Sequence, residues 1–137
     1  MATIAVLGTL DTKGQEHAYV AELIRQRGHQ TLLIDTGSGS PPTVHPDVSR
    51  EEVAEIGAVD WAGIVSRRDR GEAVTAMAGA SAKLLAHLAA DGRIQGVISL
   101  GGGGGTAIST AAMRALPIGF PKVMASTLAA GNVAPYV

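Results

Sequence analysis

The chain has 137 residues, 46% of them hydrophobic and only 3% aromatic, with no cysteine and a formal net charge of −1. That length fits one domain with an adequate core. The composition excludes disulfide and thiol chemistry, offers no basic field for nucleic acid or anionic membrane, and suits a base-stacking surface poorly.

The first element is the continuous apolar run Thr3–Thr9, the pattern of a strand buried on both faces of a parallel sheet. Gly14–Arg27 follows as a helix, with Val20, Leu23, Ile24 and Arg27 at helical spacing and Gly28 as its stop. Gln30–Asp35 is a second aliphatic strand and completes a β-α-β unit with a right-handed crossover. Ser49 with Glu52 forms a capping box, which predicts a short helix over Arg50–Ile56. Asp60–Asp69 is ambiguous. From about Gly71 to Ala90 a longer helix carries Val74, Met77, Ala78, Ser81, Leu85 and Leu88 on one stripe. Gly96–Leu100 is the third strand, Gly101–Gly105 a loop, Thr106–Leu116 a helix stopped by Pro117, and Pro121–Ser126 the fourth strand. Alternating strands and helices predict a Rossmann-like α/β fold: a doubly wound, mainly parallel sheet of four to five strands with helices on both faces. Neither a signal peptide nor a run of about 18 apolar residues is present, so the expected address is the cytosol with no membrane span.

Two loops carry the candidate chemistry. Gly8–Gly14 offers a close backbone approach at Gly8, hydroxyls at Thr9 and Thr12, a cation at Lys13 and a carboxylate at Asp11 suited to Mg²⁺ through water. Its Gly-x4-Lys-Gly order is not that of a Walker A loop. The alternative is that Asp11 or Thr12 only caps the first helix and Lys13 is solvated. Gly101–Gly105 carries a large backbone-entropy cost and can align amides around phosphate oxygens, with Thr106 as a cap and donor; its alternative is a flexible turn without ligand. Both loops leave parallel strands at the same edge, so they are expected to converge. Asp35, ending the second strand, is a ribose-binding candidate or a turn aspartate, and Ser126 and Thr127 end the fourth strand on the same edge. The run Arg67-Arg68-Asp69-Arg70 is a solvated charged face or reaches a phosphate or partner subunit. The four histidines lack metal-ligand spacing, and no Gly-x-Ser-x-Gly elbow occurs.

Five segments in order, Gly8-Thr9-Leu10-Asp11-Thr12-Lys13, Asp47-Val48-Ser49-Arg50-Glu51-Glu52-Val53-Ala54, Asp69-Arg70-Gly71-Glu72-Ala73, Gly101-Gly102-Gly103-Gly104-Gly105-Thr106 and Gly131-Asn132-Val133-Ala134-Pro135-Tyr136-Val137, closely resemble the Tm-1-like ATP-binding domain family. The resemblance spans the chain. It implies ATP binding by a Rossmann-like subdomain through Gly8, Thr9, Asp11, Thr12 and Lys13, with Gly102, Gly103, Gly104, Gly105 and Thr106, and with Ser126 and Thr127; Mg²⁺ with the ATP is expected from Asp11. It also implies a longer chain with a second α/β subdomain that is absent here. The resemblance supplies no established reaction. Three readings therefore stand: a nucleotide-binding module, a phosphoryl-transfer or hydrolytic enzyme, and an interaction module set by ATP. A homodimer is expected as a partner because the sheet would leave an open edge.

Overall fold

A computed structural model describes all 137 residues. Four strands, β1 (Thr3–Gly8), β2 (Gln30–Asp35), β3 (Gly96–Gly101) and β4 (Lys122–Ser126), form one parallel sheet in the order β2-β1-β3-β4. Five helices connect them: α1 (Leu10–Gln26), α2 (Arg50–Ile56), α3 (Trp61–Arg67), α4 (Arg70–Ala90) and α5 (Gly103–Arg114). Two 3₁₀ turns, Thr127–Ala130 and Ala134–Tyr136, follow β4. The expected Rossmann-like architecture is present, with four strands.

The order of strands fixes where the chain reverses direction. From β1 the chain passes through α1 to β2 on one side, and from β2 it returns through α4 to β3 on the other. Right-handed crossovers then put α1 on one face and α4 and α5 on the opposite face. The burial agrees. Val6, Leu10, Ala21 and Leu33 form a small cluster under α1, while Ala5, Leu7, Ile34, Met77, Leu85, Val97, Ile108 and Ala112 belong to the larger cluster under α4 and α5. By length and composition α4 could cross a membrane. In the fold its Met77, Ala80, Leu84, Leu85 and Leu88 are buried in that larger core.

The two central strands do not stay paired to their ends. β1 pairs β2 as far as Gly8 opposite Asp35, and β3 pairs β4 as far as Gly101 opposite Ser126. β1 pairs β3 only from Ile4 opposite Gly96 to Val6 opposite Ile98. The sheet therefore opens between β1 and β3 at their carboxyl ends, the topological switch point at which open α/β sheets bind ligands.

Two local expectations are corrected. The first helix begins at Leu10 rather than Gly14, with one turn ahead of a break at Lys13 (φ −129°, ψ 29°). The five glycines are not all loop: Gly103, Gly104 and Gly105 are the first turn of α5. Burial of Thr106, Ile108, Ser109, Ala112 and Met113 along α5 outweighs the poor helix propensity of glycine.

Candidate functional site

A cleft of about 790 Å³ lies at the switch point, within the size range of small-molecule sites. Four chain segments wall it: Thr9–Lys13 after β1, Thr36–Ser40 after β2, the α3–α4 junction around Arg68–Arg70, and Gly102–Gly105 after β3. The two glycine-bearing loops do meet at one rim. A Cβ built on Gly105 would lie 3.7 Å from the Thr9 hydroxyl.

The β3–α5 wall is bare backbone. Gly102 is the N-cap and provides no side-chain cap, and no acidic residue sits in the first turn. The first intrahelical bond runs from the Thr106 N–H to the Gly102 carbonyl (2.9 Å), so the N–H groups of Gly103, Gly104 and Gly105 have no helical acceptor. Packing explains only part of this glycine run. A Cβ on Gly101 would press on the Gly105 backbone at 3.3 Å. On Gly103 it would meet nothing within 4 Å, and on Gly104 and Gly105 its nearest neighbours would be at 3.5 and 3.7 Å. Each glycine within a helix costs about 1 kcal/mol relative to alanine. At these three positions the fold gains no compensating contact. What glycine provides is uncovered amides and space above them.

The β1–α1 wall is built differently. The Thr12 and Lys13 amides both donate to the Thr9 carbonyl (3.2 and 2.8 Å), and the Thr9 and Thr12 hydroxyls are 2.8 Å apart. Asp11 does not cap α1. Its Oδ2 accepts from the Gly39 N–H (3.0 Å), and its Oδ1 is buried without a partner. Lys13 makes no ion pair or side-chain hydrogen bond, so its charge is free at the rim.

The α3–α4 junction adds two residues that the sequence left ambiguous. Arg68 ends α3 in the left-handed region (φ 52°), and Asp69 caps α4 by accepting from the Glu72 N–H (3.0 Å). Arg67 pairs with Glu72 outside the cleft. Arg68 and Arg70 line the cleft without ion pairs, and the Arg70 Nη2 is 3.7 Å from a Cβ built on Gly104. Lys13, Arg68 and Arg70 thus share the cleft lining with Asp11 and the helix-capping Asp69.

Of the residues proposed from sequence, Thr9, Asp11, Thr12, Lys13, Gly102, Gly103, Gly104 and Gly105 line this cleft. Gly8, Asp35, Thr106, Ser126 and Thr127 do not. Asp35 is fully buried, and its Oδ1 joins the starts of two loops by accepting from the Leu10 N–H (3.2 Å) and the Gly37 N–H (2.9 Å). Thr106 and Ser126 pair with each other through their hydroxyls (2.6 Å) and border a separate, more apolar cavity of about 510 Å³ beside β4. The Thr127 hydroxyl is 3.7 Å from a Cβ built on Gly102, outside the cleft lining.

Gly8 is explained by a protein neighbour. A Cβ there would sit 2.1 Å from Nε2 of His17, which is fully buried. The His17 Nδ1 is 2.7 Å from the Lys13 carbonyl, and its Nε2 accepts from the Leu100 N–H at 3.2 Å. Sequence spacing contains no signal for this histidine.

Burial lowers the His17 pKa below its ordinary 6.5; the carbonyls of Lys13 and Leu7 and the charges of Glu16 and Asp35 oppose that shift only in part. Burial raises the Asp35 carboxyl above 3.8, against the Gly37 and Leu10 amides and Arg50, with Asp11 adding to the rise. The unfolded chain therefore binds a proton at His17 at pH values where the folded chain does not, and stability declines as pH falls below 6.5. Asp35 acts in the opposite sense: its folded form holds a proton above 3.8, and stability recovers somewhat as pH falls through its raised value. Urea titrations from pH 7.5 to 5.5 are expected to show the decline in wild type and a flatter profile in His17→Gln.

Residues 2–137 match the profile of the uncharacterised protein family UPF0261, N-terminal domain. The chain is 47% identical over 137 residues to a UPF0261 protein of Rhizobium meliloti, covering 100% of this chain and 33% of that protein. It is 43% identical over 134 residues to one of Clostridium tetani, covering 98% and 33%. It is also 31% identical over 146 aligned positions to the Solanum lycopersicum protein named ToMV susceptible protein tm-1(GCR26), covering 96% of this chain and 19% of that protein. The chain thus spans about one third of the length of its bacterial relatives.

Proposed function

The chain belongs to the uncharacterised protein family UPF0261, as its N-terminal domain, and on that footing we propose that its switch-point cleft binds a nucleoside polyphosphate, ATP with Mg²⁺. The resemblance to Tm-1-like ATP-binding domains motivates the choice of nucleotide. One observation carries the phosphate reading: three consecutive glycine amides without helical acceptors, at positions where packing does not require glycine, face a cleft that also holds Lys13, Arg68 and Arg70. A helix N-terminus favours an anion, and unpaired cations add charge-assisted contacts.

The donor set suits Mg²⁺ carried in by the phosphates. No group of three or more metal-ligating side chains exists, so a cage made by the protein alone is not available. Asp11 lines the cleft and its Oδ1 is buried without a partner, so a turn of the carboxylate would bring that oxygen to an ion; Mg²⁺ is commonly held by one or two carboxylates together with phosphate oxygens and water. Bound there, the ion would neutralise phosphate charge. The protein's own residues would do the rest: Gly103–Gly105 amides orient the phosphates, Lys13 and Arg70 hold them, and Asp11 faces the ion.

Binding is favoured over hydrolysis by the lining itself. Its only carboxylates are Asp11, assigned here to the ion, and Asp69, which caps α4 through the Glu72 amide. No histidine or glutamate lines the cleft to act as a general base. Calorimetry should give saturable binding of ATP with Mg²⁺ and far weaker binding of adenosine. Lys13→Ala should cost about 1.5–3 kcal/mol, tenfold or more in affinity. Equal affinity of Lys13→Ala and wild type would remove Lys13 from the site.

A further inference from the structure

We infer that His17 is a positioning residue for the cleft, its ring bridging the gap between β1 and β3 so that the two loops keep one fixed spacing. The effect on ligand affinity rests on the nucleotide reading; the effect on the loops does not.

Three observations meet at this ring. First, β1 and β3 stop pairing after Val6 and Ile98, although each remains paired to its other neighbour. Parallel continuation would bring Gly8 opposite Leu100. Instead the imidazole lies against Gly8, at a distance only glycine permits. Second, the Leu100 N–H, left without a β1 acceptor, donates to Nε2 (3.2 Å). An N–H is only a donor, so Nε2 presents its lone pair and the ring proton sits on Nδ1. Third, that Nδ1–H points to the Lys13 carbonyl (2.7 Å), at the residue where α1 breaks from helical geometry. One neutral ring thus joins Lys13 on the first loop to Leu100, the residue before Gly101-Gly102. It also gives the part-buried Leu100 amide a partner in place of a β1 carbonyl.

The Leu100 contact assigns a neutral ring with its proton on Nδ1; the Leu7 carbonyl is the other backbone group acting on it. A doubly protonated imidazole would have no lone pair for Leu100. The charged groups acting on it are Glu16, on its own helix, and Asp35, on β2.

The test compares His17→Phe, which keeps the bulk and removes both hydrogen bonds, with His17→Gln, which keeps a donor and an acceptor. The readouts are amide hydrogen-exchange protection at Leu100 and Thr106, and affinity for ATP with Mg²⁺. In His17→Phe, protection at both amides should fall about tenfold or more, while amides of β2 such as Ile34 keep theirs. His17→Gln should recover part of it, and affinity should follow the same order. Wild-type protection and affinity in a folded His17→Phe would overturn the inference, because packing alone would then account for the residue. If His17→Phe does not fold, the ¹⁵N spectrum of the wild-type ring decides. A protonated Nδ1 with a bare Nε2 is expected, and a proton on Nε2 overturns the bridge. If wild-type protein binds no ATP, the nucleotide reading fails, and the exchange pattern still decides the role of His17.

Discussion

Gly8→Ala should destabilise the domain by about 3 kcal/mol, the upper part of the range for overpacking a well-packed interior. The added methyl would sit 2.1 Å from Nε2 and 2.2 Å from Cε1 of His17. The ring cannot retreat cheaply, because it is fully buried and held at both nitrogens by Lys13 and Leu100. Gly8 is itself pinned, its carbonyl accepting from the Thr36 N–H (2.8 Å) and its register set opposite Asp35. Either β1 shifts or the imidazole leaves, and both open the gap between β1 and β3. Urea unfolding of the single variant measures the loss, and a change below about 0.5 kcal/mol would mean that the ring has room to move. The double variant Gly8→Ala/His17→Ala should recover part of the loss, since the clash then disappears.

Leu85→Ala is the second large effect, a loss of about 2–5 kcal/mol. Leu85 is fully buried on α4, in the cluster that also holds Leu7, Ile34, Met77 and Ala112. That cluster ties α4 to the sheet and to α5, the two helices whose amino ends wall the cleft with Arg70 and Gly103–Gly105. Truncation removes transfer energy and leaves a void that a close-packed interior fills only in part. Thermal unfolding should fall by roughly 10 °C for a domain of this size. A fall of only a degree or two would mean that the α4 interface is loosely packed.

Much of the fold was legible in the sequence because local and long-range signals agree. Gln30–Asp35 is a short aliphatic run bounded by polar residues, and it is a strand over those same residues. Ser49 and Glu52 form both halves of the capping box, at 3.2 and 2.9 Å, and α2 begins where they place it. Of the predicted stripe of α4, Met77, Ser81, Leu85 and Leu88 are buried, while Val74 and Ala78 are only partly so and Ala73, Ala80 and Leu84 complete the buried face. The misreadings occur where tertiary packing outweighs propensity. Glycines at 103–105 favour a turn on their own, yet the burial of Thr106, Ile108 and Ala112 carries the helix back through them. α3 buries only Ile64, too little periodicity to identify a helix from sequence.

The candidate site divides the same way. Convergence of the two loops followed from parallel strands sharing an edge, and the cleft contains both. The individual residues were harder. Asp35 sits where a ribose-binding acid is expected, but it is fully buried outside the cleft lining, with Oδ1 on the amides of Leu10 and Gly37 and Oδ2 without a partner. Whether Arg68 and Arg70 face solvent or cleft depends on how α3 turns into α4, through an arginine in the left-handed region that the sequence does not flag. His17 shows nothing in sequence, because its role arises from the parting of β1 from β3, whose Leu100 lies 83 residues away in the chain.

The most direct measurement is calorimetric titration of ATP with Mg²⁺ into the wild-type chain and into Lys13→Ala/Arg70→Ala. Saturable binding by the first, and a loss of two orders of magnitude or more in the second, is expected from removing two charge-assisted contacts. Heats no different from buffer with wild-type protein, or equal affinity for both proteins, would contradict phosphate recognition in this cleft.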